Sequence, residues 1–132
     1  MFKIKLELDG RNYDLDNVNY SSSNYAGTPE NEGYKDNVNI SMSIKLSKID
    51  QTLIDWGLNG TNQRKDGKIT VFDPDRDMMV KVITFKKGYC GSLSGSVYGH
   101  DDYNTYPLVL SITAEKLSVQ LEKSKGKRIS DD

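Results

Sequence analysis

Phe2, Ile4, Leu6 and Leu8 alternate with Lys3, Lys5 and Glu7, a strict period of two that makes residues 2–8 a strand with one wet face. Asp9-Gly10 supplies the turn that follows. The next strand carries Tyr13 and Leu15, but its apolar positions resume at Val18 and Tyr20, so the parity changes across Asp16-Asn17. A bulge there keeps both halves pointing inward. Residues 21–37 read SSSNYAGTPENEGYKDN, without a period and with Gly27, Pro29 and Gly33, and are too polar to pack as a core element. They predict one long loop. Val38, Ile40, Met42, Ile44 and Leu46 then alternate with Asn39, Ser41, Ser43 and Lys45, the clearest amphipathic strand of the chain.

Asp50 is placed to cap a short helix carrying Leu53, Ile54, Trp56 and Leu58, which Gly57 weakens and Asn59-Gly60 ends. At helical spacing from Leu53, Trp56 is expected to anchor the helix to the sheet as a core residue. Residues 68–72 form a short strand, and Asp73-Pro74-Asp75-Arg76-Asp77 turns the chain. The partner strand, residues 78–85, is apolar on both sides: Met78, Val80 and Val82 on one, Met79, Ile83 and Phe85 on the other. A sheet with one solvated face would alternate cleanly, so something must cover the second side. Met79, Ile83 and Phe85 are therefore expected to meet either the Trp56 helix or a neighbouring subunit. A glycine-rich continuation runs to Val97, a loop spans residues 98–106, and Leu108, Leu110, Ile112 and Ala114 mark the closing strand.

The elements add up to a mainly β domain over residues 1–121, a small, partly closed antiparallel barrel with one short helix and a long loop between its second and third strands. Residues 122–132 have only Ile129 as an apolar side chain and are expected to form a polar tail that does not repay the entropy of ordering. At 132 residues the chain makes one domain and buries roughly two-thirds of its unfolded surface. Eighteen basic and 19 acidic side chains nearly cancel and are interspersed, which argues against a nucleic-acid groove. Charges within the first ten residues leave no apolar run for a signal peptide or a membrane helix.

Candidate chemistry is incomplete wherever it arises. The one histidine, His100, lies beside Asp101 and Asp102 without the partners that a hydrolytic triad or a histidine-rich zinc site needs. Asp73, Asp75 and Asp77 have the opening spacing of a calcium loop, yet Met78 stands where glycine is required and Thr84 where a bidentate glutamate is required. Residues 91–95 have the glycine spacing of a nucleophile elbow with Leu93 at its centre. Cys90 has no neighbouring base to activate it and reads as a small core hydrophobe. The expectation is a protein without catalytic residues, cofactor or metal.

Taken together, Lys65-Asp66-Gly67-Lys68-Ile69, the acidic turn, Thr84-Phe85 with Gly88-Tyr89-Cys90, and the segment 110–117, LSITAEKL, resemble the haemolysin-coregulated protein family, Hcp or TssD. The opening strand and Leu53-Ile54-Asp55-Trp56 extend the resemblance over residues 2–119. It implies the tube subunit of bacterial type VI secretion: homohexameric rings that join their sheets laterally and stack into a tube. A contractile sheath expels the tube behind a spike, and its lumen carries effector proteins. The subunit would assemble in the bacterial cytoplasm and reach the exterior or a target cell without a signal peptide, binding no nucleic acid and inserting in no membrane. By the same resemblance, residues 21–36 are the loop that reaches the next ring, with Tyr25, Gly27, Thr28, Pro29, Glu30, Glu32, Tyr34, Lys35 and Asp36 as its contact residues. Other readings are a phage-type tail-tube subunit, a specialised paralogue that caps or adapts the tube, and a monomeric ligand-binding barrel.

Overall fold

Alternation at the N-terminus folds as β1 (Lys3–Leu8) and β2 (Arg11–Ser22), joined at Asp9 and Gly10. Both joining residues have positive φ, 54° and 78°, the mirror-image turn whose twist suits a two-residue hairpin. The remaining elements are β3 (Val38–Lys45), α1 (Gln51–Asn59), a 3₁₀ turn (Gly60–Asn62), β4 (Lys65–Asp73), β5 (Met78–Gly95), β6 (Leu108–Ala114) and β7 (Lys116–Leu121). The structure is a computed structural model and describes residues 1–22, 38–97 and 106–121.

All strand pairs are antiparallel, in the order β4-β1-β2-β3-β6-β5-β7, and an additional β4–β5 pairing closes the sheet on itself. The bulge expected at Asp16 is present, since the β2–β3 register shifts between Leu15 and Asn17. It lets Tyr13 and Leu15 before it, and Val18 and Tyr20 after it, contribute to one interior. Leu6, Ile40, Ile44, Ile69, Leu110 and Ile112 fill that interior and are fully buried.

Three boundaries differ from the sequence expectation. Ser21 and Ser22 extend β2, paired with Asn39 and Val38, because a polar residue on the wet face of a strand needs no core partner. β4 begins at Lys65 rather than Lys68, since Gly67 sits opposite Phe85 and allows close approach of the two strands. β7 is an additional strand whose signal is the alternation of Leu117, Val119 and Leu121 with Ser118 and Gln120. It continues β6 along β5, with Glu115 donating its N–H to the Lys86 carbonyl at 3.0 Å between them.

The helix starts where Asp50 caps it: one carboxylate oxygen accepts the Leu53 N–H at 3.0 Å, and the other accepts the Tyr13 hydroxyl at 3.0 Å. Arg11 approaches the same carboxylate at 3.7 Å. Burial, then the Asp50 hydrogen bond and charge, push the Tyr13 phenol above its ordinary value of 10.0. Leu58 is 70 % exposed and not part of the buried stripe, since the fully buried residues of the helix are Leu53 and Trp56. Asp50→Ala is expected to cost about 0.5–2 kcal/mol in a denaturant titration, with Asp50→Asn recovering most of the loss because the amide oxygen still caps.

Candidate functional site

The expected anchor, Trp56, is fully buried. Its ring stacks parallel to that of Phe85, with centroids 6.4 Å apart and planes 4° from parallel, and its indole N–H donates to the Gly88 carbonyl at 3.2 Å. Ile83 is also fully buried, so Ile83 and Phe85 face the interior of their own protomer and the helix covers Phe85. Met79 departs from the expected interior set: the β4–β5 register shifts between Val71 and Phe72, so Met79 pairs with Phe72 on the outer side and is half-buried there. Val82 pairs with Thr70 and looks outward, Met78 pairs with the buried Asp73, and both are half-buried, as is Val80 at the bulge between them.

Among the described residues, chemistry-bearing side chains do not converge on a metal site. Asp73 accepts the Asp75 N–H at 3.0 Å, so the acidic turn is held by its own first carboxylate. Cys90 is buried, with its thiol donating to the Ser92 carbonyl at 2.9 Å, and burial pushes its pKa up, opposite to what a nucleophile needs. Among the described residues no three His, Cys, Asp or Glu side chains come close enough to hold a metal ion. No described helix is long and apolar enough to cross a membrane. His100 and the loop residues Tyr25, Gly27, Thr28, Pro29, Glu30, Glu32, Tyr34, Lys35 and Asp36 lie outside the described residues.

What the fold does present is unpaired strand edge. β1 accompanies β2 only as far as Leu15, so residues 17–22 of β2 have β3 on one side and no strand among the described residues on the other. Residues 92–95 of β5 are paired with β6 and have left β4, whose pairing ends at Gly88. Among the described residues β7 is paired with β5 alone, and Val119 and Leu121 are 39 % and 69 % exposed. Exposed edges of this kind are templates for pairing with another chain unless they are covered.

The outer faces differ in chemistry. Across β2, β3, β6 and the second half of β5, one row of outward residues is Ser21, Asn39, Thr113 and Tyr89. The next row is Asn19, Ser41, Ser111 and Ser92, and the third is Asn17, Ser43, Val109 and Ser94. None of them is charged, in a chain of which 28 % is charged. Charge returns at the margins, where Lys45 lies 3.5 Å from Asp16 and the Arg64 guanidinium sits 4.8 Å from the Tyr89 ring centre. On the other side of the barrel, β1 and β4 point Lys3, Lys5, Glu7 and Lys68 outward. The neutral face is legible in the sequence as the polar half of the β3 and β6 alternation, but only the register aligns its rows.

The two ends differ as well. Ser22 and Val38, paired at one end of β3, flank the segment 23–37. Beyond the other end of β3, Leu46, Ile54, Tyr106, Pro107 and Leu108 line an apolar hollow of about 140 Å³.

Comparison with known proteins gives this geometry a context. The family model described as "Hemolysin coregulated protein Hcp (TssD)" matches residues 1–126. The fold resembles Hcp1 from Flavobacterium johnsoniae at 21 % identity and a TM-score of 0.64, covering 89 % of this chain and 94 % of that one. It also resembles Hcp1 from Salmonella typhimurium at 13 % identity and a TM-score of 0.67, covering 91 % and 86 % of the two chains. A chain of the PVC sheath-tube complex, an extracellular contractile injection system in its extended state, matches at 14 % identity and a TM-score of 0.58, covering 91 % and 89 %. No curated protein matches the sequence.

Proposed function

The chain belongs to the haemolysin-coregulated protein family, Hcp (TssD), the tube proteins of contractile injection systems, which are structural and not enzymes, and from that premise we propose that it is the inner-tube subunit of a type VI secretion apparatus. In this reading protomers close into hexameric rings, rings stack into a tube, and a contracting sheath drives the tube and its spike out of the cell with effector proteins in the lumen. The subunit would assemble in the bacterial cytoplasm and leave it without a signal peptide. The observation that carries the reading is the set of unpaired edges on β2, β5 and β7. A head-to-tail ring covers one edge on each side of every protomer, so joining the β2 edge of one protomer to the β5 edge of the next covers both.

Stacking would use the two unlike ends. Segment 23–37 leaves one end of the barrel, and the apolar hollow beside Leu46 and Leu108 occupies the other. A head-to-tail stack needs such a pair of different surfaces, with Tyr25, Pro29 and Tyr34 as the apolar side chains the segment offers. Shortening a polar loop costs little when the core does not use it. Replacing residues 28–36 by a short Gly-Ser link is therefore expected to preserve the circular dichroism spectrum and lateral rings while abolishing tube growth and release into the medium of the native host. Normal stacking and secretion by this variant would remove residues 28–36 from the axial contact. An extracellular injection device of the PVC kind is the second reading, favoured by the sheath-tube similarity. Release that continues when the host's type VI sheath is deleted would select it.

A further inference from the structure

We infer that Lys81 is a positioning residue for ring assembly: its ammonium group holds the free half of β2 along the path where a neighbouring protomer can pair with it. The inference rests on the tube reading, in which that edge joins protomers, and adds to it what keeps the edge in place. Residues 17–22 of β2 have β3 on one side and no described strand on the other. From this half Val18 and Tyr20 turn toward the core, and both are half-buried. Lys81 stands on a firmer strand. It pairs with Val71 of β4 on one side and with Leu121 of β7 on the other, and it shares the side of β5 that carries Ile83 and Phe85. From there its Nζ donates to the Tyr20 hydroxyl at 3.0 Å and lies 5.4 Å from the centre of the same ring.

The direction of restraint follows from the support on each side. A residue paired on both flanks moves little, whereas an edge strand opens with less loss of main-chain bonding. Lys81 is therefore the post, and Tyr20 the part that is held. Pairing across an edge needs successive N–H and C=O groups at about 4.7–4.9 Å from the neighbouring strand, so a displaced edge loses several bonds at once. Packing alone does not call for a lysine here, since an apolar side chain would fill the same space as its stem. A half-buried ammonium gives up water, and the phenol replaces it with one hydrogen bond and a cation–π contact. What the lysine adds over an apolar residue is a directed link between β5 and the free half of β2.

The test uses the full-length chain with Lys81→Met and Tyr20→Phe, separately and together, and with Lys81→Arg. Ring dissociation is followed on dilution, and amide hydrogen exchange is read on the dissociated protomer. Both single variants are expected to dissociate at severalfold higher concentration than the unsubstituted chain, and the double variant no more readily than either, because one contact is lost in all three. Lys81→Arg keeps the charge and the donor and is expected to restore most of the ring. Exchange in Lys81→Met and Tyr20→Phe should quicken at residues 17–22 and stay unchanged at residues 4–8 of β1, a pattern that a general loss of stability does not give. Rings in both single variants as tight as those of the unsubstituted chain, Lys81→Arg as weak as Lys81→Met, or exchange that quickens equally in β1 and β2 would overturn the inference and leave the tube reading standing. Absence of rings from the unsubstituted chain removes both.

Discussion

Trp56→Ala is expected to lose about 3–5 kcal/mol of folding stability, read as a lower denaturant midpoint at unchanged slope. The ring is fully buried, stacks on Phe85 and donates its N–H to the Gly88 carbonyl, so truncation removes core volume, an aromatic contact and the partner of a buried acceptor together. Such a loss is a large share of the roughly 5–15 kcal/mol that holds a domain folded, and soluble yield should fall with it. Because Phe85 shares the contact, Trp56→Ala and Phe85→Ala together should cost less than the sum of the two. An unchanged midpoint for Trp56→Ala would show that the ring is not the anchor between helix and sheet.

Gly67→Val is expected to destabilise by about 1–3 kcal/mol through the opposite fault, overpacking. Gly67 lies directly across from Phe85 in the β4–β5 ladder, and the Phe85 ring covers it so closely that a Cβ there would overlap the ring. From the other side, a Cβ on Gly88 would stand 2.9 Å from the same ring and 2.8 Å from Ile112 Cγ2. The same ring thus lies close to both glycines. Gly91 is the control: a Cβ there meets nothing closer than the Ser111 carbonyl at 3.6 Å, so Gly91→Ala should leave the midpoint nearly unchanged. Equal effects at 67 and 91 would mean that backbone freedom, and not the Phe85 ring, explains both glycines.

These two sites also mark where sequence reasoning stopped. Alternation in residues 2–8, 38–46 and 108–114 determines which side chains face the core, and the parity change at Asp16 identifies the bulge. β5 is different because both of its faces are apolar near Met78. Its inward set changes parity near Val80, where the pairing with β4 shifts between Val71 and Phe72, then after Phe85, where Lys87 takes φ 53°, and a third time at the bulge between Cys90 and Ser92. Inward residues are accordingly Ile83 and Phe85, then Gly88 and Cys90, then Leu93. No periodicity reveals three such reversals in one strand, and so residues 78–85 alone do not distinguish helix cover from a subunit contact. Tertiary packing decides it, through Trp56.

β7 shows the complementary limit. Leu117, Val119 and Leu121 alternate, yet only Leu117 packs on the core, so hydrophobic burial barely contributes to this strand. Its main-chain pairing with β5 holds it, and its far edge is unpaired by any described strand. The unpaired edges are harder to read than the core because a strand edge has no side-chain signature. The neutral outer face was visible as isolated serines and asparagines and gained meaning only when the register placed Asn19, Ser41, Ser111 and Ser92 in one row.

The proposed ring would bring the unpaired edges of neighbouring protomers together. Native mass spectrometry of the purified chain, across micromolar concentrations at moderate salt, tests that claim most directly. The account predicts a hexamer that dissociates only on high dilution, as mass action requires; monomer alone throughout the micromolar range would contradict it.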